Sequence, residues 1–145
     1  MKNLKTMEKQ ELKEVLMPYL PYRLNIKNKI GKIVELTLSD APYHFKTEFK
    51  PILRPLSDLT KEIEHNGEKF VPYYQLKVLG LVKTASLRFE TIILELDRNR
   101  IFYIPDYHDF FQLPYQVVQK LISWHFDVFG LIEKGLAIDI NNLNK

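Results

Sequence analysis

Residues 113–134 constrain the fold more than any other part of the chain. Read as a helix at about 100° per residue, Val117, Val118, Leu121, Ile122, Val128, Phe129 and Ile132 form one broad apolar face. Gln116, Gln119, Lys120, Ser123, Asp127 and Lys134 take the opposite side. Pro114 suits the first turn of such a helix and Gly135 its end. The spacing predicts one long amphipathic helix that buries its apolar side against a sheet. His125 falls at the centre of the apolar side, between Trp124 and Phe126. Its expected role is structural: a buried neutral imidazole donates from one nitrogen and accepts at the other. Asp127 lies about 160° round the same helix, so the partner of His125 is expected outside it.

The remainder reads mostly as hairpins. A first helix over 7–17 has Thr6 as its cap and Glu8 in its first turn, and Pro18 and Pro21 end it. Leu24 and Ile26, then Val34, Leu36 and Leu38, alternate with polar residues on either side of a turn over 28–31. Residues 43–50 are expected as a third strand, and 52–54 as a short extended piece between Pro51 and Pro55. Ser57 and the acids after it predict a short surface helix that stops at Asn66-Gly67. A helical turn follows Pro72, and strands follow over 89–96 and 100–104, joined through Asp97-Arg98-Asn99. Leu136, Ile138 and Ile140 permit a last strand. The expected class is α+β: a small antiparallel, hairpin-built sheet with the long C-terminal helix packed on one face. A length of 145 residues suits one domain. That domain is expected to span 1–145, with flexible ends at 1–5 and 142–145.

The chain has no cysteine, so disulfides, thiolate metal sites and a cysteine nucleophile are excluded. Its N-terminal residues lack the apolar core of a signal peptide, and no run approaches the roughly 18 apolar residues of a membrane span. The expected location is cytoplasmic, in a bacterial cell or a phage-infected host, with no membrane partner. The net charge of +3 is uneven. Residues 1–50 carry ten Lys or Arg against six Asp or Glu, whereas 101–145 carry three against five.

Catalytic signatures are absent. The five glycines form neither a phosphate loop nor a dinucleotide fingerprint, and no H-E-x-x-H or G-x-S-x-G occurs. Three weaker constellations remain. Asp106, His108 and Asp109 combine carboxylate and imidazole, which suit Zn, Mn or Fe; on an extended strand Asp106 and His108 share a face, and a third ligand beside that pair would come from His44 or His65. Arg23, Lys27, Lys29 and Lys32 place four positive charges within ten residues, after Tyr19 and Tyr22. Such a hairpin can track a phosphate backbone while tyrosines stack on bases, although lysines also protect a sheet edge. Tyr73, Tyr74, Tyr103, Tyr107, Phe110, Phe111 and Tyr115 crowd one region of sequence, and tyrosine-rich surfaces suit protein partners.

Two blocks, PILRPLSDLTKEIEHNGEKFVP over 51–72 and LISWHFDVFGLIEKGLAIDIN over 121–141, resemble a family of small proteins encoded by phages and prophages of gut bacteria related to Bacteroides. The resemblance implies origin in a mobile element and carries over no catalytic residue. The expected function is therefore a non-catalytic phage or prophage accessory or structural protein, without a cofactor, that binds another macromolecule. A protein is the first expected partner. The alternatives are nucleic acid held by the basic hairpin over 23–32 and a small metal-dependent hydrolase built on Asp106, His108 and Asp109.

Overall fold

Asn28 starts the turn that organises the first sheet. Its side-chain oxygen accepts from the backbone N–H of Ile30 at 3.1 Å and of Lys32 at 2.9 Å. Gly31 follows at φ +85°, where a side chain would be strained. The turn joins β1 (Leu24–Asn28) to β2 (Ile33–Leu36). In the register, Leu24 faces Leu36 and Ile26 faces Val34, so the alternation over 24–36 becomes one largely buried face, while Leu38, expected to continue it, lies beyond β2 and is exposed.

The computed structural model describes residues 12–89, 91–97, 100–104 and 112–143. They form two compact units. The first combines the described parts of Met1–Arg54 and Ile122–Lys145. Helical residues 12–16 run into a 3-10 helix at Met17–Tyr22. The sheet has the order β2-β1-β3-β9, where β3 is Phe49–Leu53 and β9 is Ile138–Asp139. β1 pairs antiparallel with β3 and β3 pairs parallel with β9. A short helix, α1 (Ala41–His44), stands where the sequence predicts the start of a third strand; the strand itself begins at Phe49. Leu16, Tyr19, Leu24, Ile26, Leu36, Leu53 and Phe126 are among the buried core of this unit.

The second unit is Pro55–Leu121. It contains an antiparallel sheet of β6 (Thr84–Arg88), β7 (Thr91–Asp97) and β8 (Arg100–Ile104). Ile92, Leu94, Phe102 and Ile104 are buried along it. α2 (Pro72–Val78) packs against β6 and against a 3-10 helix at Leu56–Thr60. The predicted surface helix after Ser57 is limited to that 3-10 helix. Ile63–His65 and Glu68–Phe70 instead form a hairpin, β4 and β5. Asn66 and Gly67, at φ +52° and +85°, make its turn rather than a helix end. Two successive positive φ values suit a tight hairpin, so one dipeptide satisfies either reading in sequence.

The fold is α+β, but the expected long C-terminal helix does not form. The helix here, α3, is Tyr115–Ser123. It ends because His125 takes φ +66°, a left-handed conformation incompatible with continuing a helix. Phe126 then bridges in parallel to Arg54. Trp124, Phe126 and Val128 are buried around this bridge, with Trp124 and Val128 in turns on either side of it. Asp127, expected on a solvent-facing side, is buried too. It accepts the backbone N–H groups of Leu131 at 2.8 Å and Ile132 at 2.9 Å. The ends at 1–5 and 144–145 lie outside the described residues, while Ile140–Asn142 forms a 3-10 helix.

Leu121 is completely buried and Gln116 is exposed on α3. Leu121→Ala is expected to lower stability by about 2–5 kcal/mol in urea denaturation. Gln116→Ala should stay within about 0.5 kcal/mol.

Candidate functional site

Four segments of the first unit enclose a groove of about 720 Å³. Helical residues 12–16 supply Leu12 and Lys13, and the end of β1 with its turn supplies Lys27, Asn28 and Lys29. The approach to β3 supplies 45–50, and the approach to β9 supplies Leu136 and Ile138. Five lysines line it, at 13, 27, 29, 46 and 50, against one acid, Glu48. All five are exposed, and among the described residues none of them is in an ion pair.

Local structure explains how these residues meet. Asp40 accepts from the backbone N–H of Thr37 at 2.7 Å, which fixes the entry to α1. That bond, with a weaker one from the Thr37 hydroxyl side, holds the Asp40 carboxyl below its usual range. After α1, Phe45 N–H donates to the Ala41 carbonyl at 2.8 Å and Thr47 N–H to that of His44 at 3.1 Å. The chain then enters β3 with Lys50 directly opposite Lys27. Like charges directly opposite on paired strands oppose folding. Phe45 and Phe49 stack with centroids 5.9 Å apart and planes at 19°. Both are half-buried: they pack against Leu20, Ile26, Leu36 and Ala41 and also line the groove.

Lys27 and Lys29, two of the sequence candidates, are in the groove. Arg23 and Lys32 are exposed but do not line it. Lys13, Lys46 and Lys50 were not among the candidates, because they come from separate segments. Tyr19 does not stack on any ligand: it is fully buried, its hydroxyl donates to the Phe126 carbonyl, and it accepts from Val128 N–H at 3.3 Å. Burial pushes the Tyr19 phenol well up from its ordinary range.

His125 lies just beyond α3, half-buried, and not on a helix face. Its Nε2 donates to the Tyr22 carbonyl at 2.6 Å, a partner outside α3. Its backbone carbonyl accepts from Arg54 N–H at 2.8 Å. Burial lowers the His125 pKa from 6.5, the Tyr22 bond opposes that shift, and the Arg54 charge adds to it. Burial also raises Asp127, against the backbone bonds from Ile132 and Leu131.

Asp106, His108 and Asp109 lie outside the described residues, as do Tyr107, Phe110 and Phe111. Among the described residues no group of three His, Cys, Asp or Glu is placed to hold a metal. His44 faces Asp40 at 3.7 Å, and His65 is half-buried in β4. Tyr74, Tyr103 and Tyr115 are exposed on α2, β8 and α3. Among the described residues no helix is long and apolar enough to cross a membrane. No family model, curated protein or solved structure matches the chain.

The depressed pKa of His125 gives a pH test. The folded state keeps the ring neutral below the pH at which the unfolded chain takes up its proton. Its contribution is therefore present above 6.5 and is lost as pH falls. Denaturation at about pH 7.5 and about pH 5 should show wild type losing more stability than His125→Gln over that interval.

Proposed function

We propose that this protein is a non-catalytic nucleic-acid-binding module that grips the phosphate backbone with the lysines of its groove. The convergence of five exposed lysines from three of the four segments, with a single acid among them, carries the reading. Opposed lysines such as Lys27 and Lys50 are unfavourable until an anion lies between them. A phosphate backbone supplies a row of such anions and releases its counterions on binding. The groove moves nucleic acid ahead of the protein partner expected from the sequence, for which the exposed tyrosines lie on three separate elements. The resemblance of 51–72 and 121–141 supports a place for this binding in a phage or prophage programme.

Replacing Lys27, Lys46 and Lys50 with Gln should leave the fold intact, since exposed charges contribute little to stability. Oligonucleotide binding should weaken, and the slope of log K against log salt should flatten by about 2 for a single strand. Replacing Arg23 and Lys32, which lie outside the groove, should have the smaller effect on both readings. Equal effects from the two sets, or no binding to nucleic acid at low salt, would contradict the assignment.

A further inference from the structure

We infer, building on the nucleic-acid reading above, that the groove takes a single strand and seats one or two unpaired bases on an apolar floor. Phosphate contacts alone need only a charged surface. This groove is different: beside its lysines, its lining includes Leu12, Phe45, Phe49, Leu136 and Ile138. In a duplex the bases are stacked and paired within the helix, so that floor has nothing to meet. In a single strand each base exposes an apolar face, and aromatic side chains beside a basic track are what such strands bind. Size agrees with this. A volume of about 720 Å³ falls among pockets that enclose one small ligand, which is the scale of a nucleotide or two and too small to admit a double helix. Lysines and apolar residues border the same groove. Lys27 and Lys50 face each other across β1 and β3, and Lys46 follows directly on Phe45.

The test compares a fluorescein-labelled oligothymidylate of about ten nucleotides with a duplex of equal length. Both are titrated with the full chain at low salt and followed by fluorescence anisotropy. The single strand should bind roughly tenfold more tightly. Phe45→Leu keeps an apolar side chain against the core but removes the ring; it should weaken single-strand binding by about tenfold while leaving duplex binding within about twofold. Phe49→Leu provides the same reading if Phe45→Leu fails to fold. Equal or tighter binding of the duplex would overturn the single-strand inference and leave the lysines as a phosphate grip. Binding of neither oligonucleotide would overturn the nucleic-acid reading itself. Binding only to vesicles containing phosphatidylglycerol would assign the lysines to a lipid surface and overturn both.

Discussion

The first unit depends on a polar knot around Arg54. Arg54 N–H donates to the His125 carbonyl, and Asp127 N–H donates to the Arg54 carbonyl, each at 2.8 Å. The Arg54 guanidinium Nε reaches the Trp124 carbonyl at 3.1 Å. Tyr19 ties Phe126 and Val128 to the N-terminal 3-10 helix, and Asp127 closes the following turn. Arg54 and Asp127 are both buried. Buried polar groups are costly unless bonded, and losing one partner costs about 1–3 kcal/mol. The knot therefore joins segments far apart in sequence. It carries the chain toward 136–139, where β9 pairs with β3 and completes the wall of the groove.

The same knot explains what sequence reading missed. In sequence Trp124, Phe126 and Val128 alternate as a strand would while their neighbours continue a helical pattern, and the chain there turns about a single bridge at Phe126. Two periods overlap there, and apolar spacing alone favours the longer one. The deciding facts are tertiary: the left-handed His125, the bridge to Arg54 and the inward carboxylate of Asp127. Asn66-Gly67 posed a similar choice. The hairpin of β1 and β2 was legible because clear alternation flanks a turn whose chemistry sits in Asn28 and Gly31. β6 was not, since Thr84, Ala85, Ser86, Leu87 and Arg88 offer too little apolar alternation.

The groove was half visible. Lys27 and Lys29 stand in a run of positive charge and draw attention on their own. Lys13, Lys46 and Lys50 look like ordinary solvated lysines until the sheet order brings their segments together. One signal was present in sequence: Phe45-Lys46 and Phe49-Lys50 repeat an aromatic residue followed by a lysine. All four residues line the groove, between α1 and the start of β3.

The most direct measurement is a titration of isotope-labelled protein with single-stranded oligonucleotide, followed by amide NMR shifts. Binding in the groove predicts changes gathered at Lys13, Lys27 to Lys29, Phe45 to Lys50 and Leu136 to Ile138. Changes centred on the sheet of β6, β7 and β8, or no changes at low salt, would contradict it.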